Sequence, residues 1–156
     1  MNPEDYVSYP LALALKQAGF DEPCHYGYSV KMRLEPELSF GDPKMVHSKT
    51  PKNYNDNRKG IAKGLEFCSA VPLWQAQKWL RDRKGIAINV IAHGCHEKYR
   101  EGKYHWEEIH LPNSNEKGPQ WVYWFIYGKH PLFDTYEEAL SDGILQMLEL
   151  IVKKGE

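Results

Sequence analysis

No phosphate-cradling P-loop, no GxSxG elbow, no GxGxxG fingerprint and no CxxC pair occurs in the 156 residues. Each of these missing patterns is the local signature of a common chemistry: nucleotide binding, acyl transfer by an activated serine, dinucleotide binding, and dithiol redox or zinc-ribbon work. The chain is therefore read as non-enzymatic, with no catalytic residue and no cofactor assigned. Charge of one sign is also lacking. Twenty basic residues stand against 21 acidic ones, for a net charge of −1, so no global field draws the chain to nucleic acid or anionic lipid. A charged partner has to be met by a local patch. Cysteine is scarce: Cys24, Cys68 and Cys95 are odd in number and far apart, which suits reduced thiols better than a disulfide framework. Finally, no apolar run approaches the ~20 residues that span a bilayer, and acids occupy the positions where a signal peptide carries its basic region. A cytoplasmic protein with no membrane partner is expected.

What is present points to a folded core. The apolar fraction is 42% and the aromatic fraction 13%, far from the disordered class. A chain of this length buries roughly two-thirds of its unfolded surface without staples, so one domain over 1–156 is expected. Residues 8–19 predict a short helix: Ser8 as cap, Pro10 in the first turn, Gly19 as stop, and Leu11, Ala14, Leu15 and Ala18 on one face. The period then changes. Tyr26, Tyr28, Val30, Met32 and Leu34 alternate with Gly27, Ser29, Lys31 and Arg33, the pattern of a half-buried strand. Together these make an N-terminal helix-strand unit over 1–40.

From Glu35 to about Leu65 the periodicity fades under Pro36, Pro43, Pro51 and the run KNYNDNRKG, so 41–65 reads as an exposed connection, with one short strand at 38–40. Lys44, Lys49, Lys52, Arg58, Lys59 and Lys63 face only Asp56 over 43–65, the one strongly basic patch. It is either a solvated loop or a loop that contacts phosphates or a partner.

The remainder, 69–156, reads as an α-β-β-β-α core. SAVPLWQAQKWLRDRKG opens a helix at Pro72, buries Leu73, Ala76, Trp79 and Leu80, and ends it at Gly85. Strands follow at 86–90, 104–111 and 121–127. In the last, WVYWFIY, both alternating sets are apolar, so it is either a central strand covered on both faces or a strand with one aromatic face bearing Tyr123 or Trp124 as a binding surface. The closing helix carries a capping box of Thr135 and Glu138, a stripe of Tyr136, Leu140, Ile144, Met147 and Ile151, and lysines at its C-terminal end. Gly143 inside it predicts close contact with a neighbour. The expected class is α+β in the order α-β-α-β-β-β-α, an antiparallel sheet of three to five strands with helices mainly on one face.

Helix, three strands and helix over 70–154 is similar in element order to the double-stranded-RNA-binding domain. That resemblance implies two helices on one sheet face and a basic cluster at the start of the last helix. Here that start reads DTYEEALSD, whose Asp134, Glu137 and Glu138 repel phosphate, so duplex RNA binding in that mode is not expected. The phrases YVSYPLALALKQAGFDEPC, VPLWQAQKWLRDRKGI and DTYEEALSDGILQMLELI resemble those of a family of small uncharacterised proteins of gut bacteria and their phages or prophages. That resemblance implies a mobile-element context and no site.

The stretch AHGCHEKYREGKYHWEEIH holds four of the seven histidines. HWEEIH differs from the zinc-peptidase pattern HExxH. His105 and His110 are five apart, which splays them on a helix and puts them on opposite faces of a strand. His93, Cys95, His96 and His105 form the weak alternative, a structural zinc set that needs the chain to fold back and matches no usual spacing. Adjacent Glu107 and Glu108 face apart on a strand and make no acid-base pair.

Three readings follow. The first is an interaction or self-assembly module that binds an unknown protein partner or its own copy, with Trp124 and Tyr123 as contact candidates. The second is nucleic-acid binding through Lys52, Arg58 and Lys59 of the basic segment together with Lys78, Arg81, Arg83 and Lys84 at a helix end, not favoured but possible. The third is the structural zinc protein.

Overall fold

The computed structural model describes residues 5–33, 39–56, 64–93, 103–110 and 131–154. The fold is α+β, with two antiparallel sheets, and the chain divides into two compact units, Met1–Pro72 and Leu73–Glu156.

In the first unit, α1 (Tyr9–Gln17) carries Pro10 in its first turn. The Ser8 side chain makes no capping bond; its carbonyl instead accepts the Ala12 N–H. Gly19, at a φ of +88°, turns the chain out of the helix as only glycine does without strain. Leu11, Ala14, Leu15 and Ala18 are buried along with Val7, Ala12 and Phe20.

The next strand, β1 (Cys24–Arg33), is central to its sheet. It pairs with β2 (Ser39–Phe40) and β3 (Lys44–Lys52), and also with β4 (Leu65–Ala70). The Tyr28 hydroxyl donates to the Val7 carbonyl at 2.9 Å while its ring meets Tyr9 edge-on. These contacts tie α1 to the sheet face that buries Val30 and Cys68.

The segment expected as a bare connection therefore holds a nine-residue strand, β3. KMVHSKTPK gives no alternation because β3 is exposed along nearly its whole length. Without a buried face there is no period for the sequence to display. Past β3 the chain crosses to the far side of β4. Tyr54 lies buried with its ring on Gly27, and Asn55 receives the Ser69 N–H at 2.9 Å while donating to the Phe20 carbonyl at 2.7 Å. Lys16 donates to the Phe67 carbonyl, and the Val7 N–H to the Val71 carbonyl. The Phe67 carbonyl, the Ser69 N–H and the Val71 carbonyl, turned away from β1, are thus occupied, which blunts an edge that would otherwise template pairing.

In the second unit, α2 (Leu73–Lys84) buries Leu73, Ala76, Trp79 and Leu80, as its spacing predicts, and Gly85 at φ +68° ends it. β5 (Ile86–Ala92) and β6 (Tyr104–His110) form an antiparallel pair with Ile91 opposite His105 and Val90 opposite Trp106. α3 (Tyr136–Lys154) begins with the expected box: the Glu138 N–H donates to Thr135 Oγ1 and the Thr135 N–H to Glu138 Oε2. Its buried stripe is Ala139, Leu140, Gly143, Ile144, Met147 and Leu148. Tyr136 departs from the expected stripe: it is exposed and meets Tyr104 edge-on. Gly143 is where the Trp106 ring crosses the helix, with Ile88 beside it. The expected strand at 121–127 lies outside the described residues. No described helix is long and apolar enough to cross a membrane.

Candidate functional site

Two arrays of side chains stand out, one in each unit. On β5 and β6, alternation sends Ile86, Ile88 and Trp106 into the core and leaves Asn89, Ile91, His105 and Glu107 on the opposite face. Glu108 falls on the core side of the alternation, so the adjacent glutamates do face apart. The His93 N–H donates to the Lys103 carbonyl, which extends the ladder one step and brings His93 diagonally beside His105. His93 Nε2 lies 2.7 Å from His105 Nδ1, and His105 Nε2 lies 3.2 Å from Glu107 Oε1. A carboxylate only accepts, so the His105 Nε2–H donates to Glu107, and in the neutral ring this leaves the Nδ1 lone pair facing His93 Nε2.

Of the four residues weighed for zinc, the fold thus brings His93 and His105 together, while Cys95 and His96 lie outside the described residues. Among the described residues no group of three or more His, Cys, Asp and Glu side chains is arranged to hold a metal ion.

The second array was not legible as a unit. The Tyr6 ring meets Tyr26 edge-on at 5.4 Å, Tyr26 meets His47 at 4.8 Å, and His47 stacks on His25 at 6.2 Å with 19° between planes. His25 Nδ1 donates to the Ser48 carbonyl at 3.0 Å, which fixes the outermost ring. His47 reaches this row because β3 pairs with β1 at Tyr26↔His47. Burial pushes the Tyr6 hydroxyl pKa up, and the neighbouring Tyr26 and Asp5 add to it, so the phenol stays neutral. Lys44, Lys49 and Lys52 are exposed on the same strand, and β3 contains no acid. Lys52 also sits 4.5 Å over the Tyr54 ring.

The other sequence candidates separate. Arg58, Lys59, Tyr123 and Trp124 lie outside the described residues. Arg81 is exposed, but its Nε meets Asp82 Oδ1 at 3.1 Å while Lys78 takes Oδ2 at 2.7 Å. The Lys78 hydrogen bond, more than that of Arg81, holds the Asp82 carboxyl below its usual range. Lys78 and Arg81 therefore share a local counter-charge.

The two described cysteines are free and buried. Burial pushes the Cys68 thiol up to about 12, with Lys16 only partly opposing it, and burial likewise raises Cys24. The thiolate is the reactive form, so neither thiol is a nucleophile at neutral pH. In native protein at pH 8, iodoacetamide is expected to leave Cys68 and Cys24 unmodified while urea exposes both, as read by peptide mass spectrometry. Labelling of Cys68 at the rate of a free thiol would contradict this burial.

No family model, no curated protein and no solved structure matches the chain.

Proposed function

We propose that the chain is a non-catalytic binding module whose first unit takes single-stranded nucleic acid along β3. The observation that carries this reading is the row Tyr6, Tyr26, His47 and His25, built onto a strand that bears three exposed lysines and no acids. Single strands are held by that combination, cations that follow the phosphates and rings that meet the bases, with little demand on sequence. β3 suits the task because its backbone is already ordered by pairing with β1, so less backbone entropy is lost on binding.

Neutralising about three phosphates gives a log–log salt slope of about −2 for a single strand. Fluorescence anisotropy with labelled oligonucleotides is expected to show micromolar binding at low salt with that slope. Replacing Lys44, Lys49 and Lys52 by alanine together removes it, and His47→Ala weakens it severalfold. No binding at low salt, or binding indifferent to the three lysines, refutes the reading. A mass that rises with protein concentration in sedimentation, without oligonucleotide binding, would favour self-assembly instead, for which Trp74, 63% exposed on α2, is the first residue to replace.

A further inference from the structure

We propose that His93 and His105 form a binding site for one divalent transition-metal ion, with Glu107 as the positioning group behind it. The inference is independent of the nucleic-acid reading, since it concerns the other unit and another ligand.

Three features of the hairpin carry it. First, two imidazole nitrogens from neighbouring strands face one another at 2.7 Å, on the face away from Trp106. Second, the far nitrogen of His105 meets the Glu107 carboxylate at 3.2 Å. Metal-ligating histidines are commonly backed in this way: a carboxylate fixes the tautomer, aims the lone pair and raises its basicity. Third, Lys103, across the ladder from His93, is paired with Asp134, so its charge is balanced. A dication near these rings meets Glu107 as well, and the local charge favours it.

The geometry is close to what coordination needs. With Zn–N bonds of about 2.0–2.1 Å in a tetrahedron, two ligand nitrogens sit roughly 3.3 Å apart, so the rings must part by roughly 0.6 Å from their hydrogen-bonded separation. Small χ rotations of the two side chains supply that. The ion replaces the hydrogen shared by the rings: His93 moves its proton from Nε2 to Nδ1, and both facing nitrogens then present lone pairs. Soft and borderline ions are favoured in the order copper over nickel and zinc.

The test uses the full chain without a histidine tag. Titration with Zn²⁺ by calorimetry is expected to saturate at one ion per chain with a Kd below about 100 µM. His93→Ala and His105→Ala should each abolish that isotherm. Glu107→Gln should weaken it about tenfold or more while circular dichroism and melting remain those of the wild type. Nitrogen-15 spectra of the imidazoles provide a second readout: His105 Nδ1 and His93 Nε2 should shift to the metal-bound range as Zn²⁺ is added. Absence of a saturable isotherm, or one unchanged in His105→Ala, overturns the proposal. An unchanged affinity in Glu107→Gln removes Glu107 from it.

Discussion

Replacing Trp106 by alanine lowers the stability of the second unit by about 3–5 kcal/mol. The indole is 6% exposed and lies where β6 crosses α3, against Gly143 and Ile88. Its Nε1–H donates to Asp142 Oδ2 at 2.8 Å, so one side chain fills the joint and also satisfies a half-buried carboxylate. Truncation leaves a cavity where the ring was and a carboxylate without its donor; both costs add. The loss is large against the 5–15 kcal/mol that stabilises a typical domain. Urea unfolding followed by far-ultraviolet circular dichroism measures it, and hydrogen exchange in α3 places it. Trp106→Phe should recover more than half of the loss, because most of the ring area returns while the N–H does not. A change below about 1 kcal/mol would mean that the joint does not rest on this ring. Alanine at position 143 tests the same joint from the helix side. Its Cβ would stand 2.9 Å from two indole carbons, so the helix-propensity gain of about 1 kcal/mol is cancelled or reversed by overpacking.

Trp106 and Gly143 also mark where the sequence stops being readable. Glycine inside a strongly periodic helix announces a close approach, and the amphipathic spacing of α3 locates the face. The partner, 37 residues upstream, follows only from the register that sets Val90 opposite Trp106. The helices and β1 were legible because each has one buried and one wet side, and burial imposes its period on the residues. β3 was not, since a strand exposed on both faces carries no such imprint, and its Pro51 and lysines read equally well as loop. Tyr136 failed in the opposite sense: it falls on the helical spacing, yet it is exposed and meets Tyr104 edge-on at the end of β6. The candidate sites divide in the same way. His93 and His105 were nameable from composition, and their meeting depends on hairpin register. The row from Tyr6 to His25 joins three separate segments, and no local pattern links them.

Gly27→Ala is expected to destabilise the first unit by about 3 kcal/mol, through a neighbour 27 residues away rather than through the backbone. The position does not need a left-handed backbone, since the positive φ values among the described glycines belong to Gly19, Gly64 and Gly85. Space is what it lacks: a Cβ at Gly27 would lie 2.5 Å from two ring carbons of Tyr54 and 3.0 Å from the Cys68 carbonyl oxygen. The β4 backbone cannot retreat without opening the β1–β4 ladder, so the ring has to move. Tyr54 is 4% exposed and its hydroxyl donates to the His25 carbonyl at 3.1 Å. Displacing it loses that bond and strains Asn55, the next residue, which ties Phe20 to Ser69. On an open strand alanine would be as good as glycine or better, so the sign of the effect identifies the cause. A double-mutant cycle isolates it: in a Tyr54→Ala background the same substitution should cost nothing, leaving a coupling of about 2–3 kcal/mol. An equal loss in both backgrounds would show that the ring is not what excludes a side chain. Because Tyr54 also carries Lys52 above its ring, Gly27→Ala should weaken oligonucleotide binding along β3, whereas Trp106→Ala, in the other unit, should leave it unchanged.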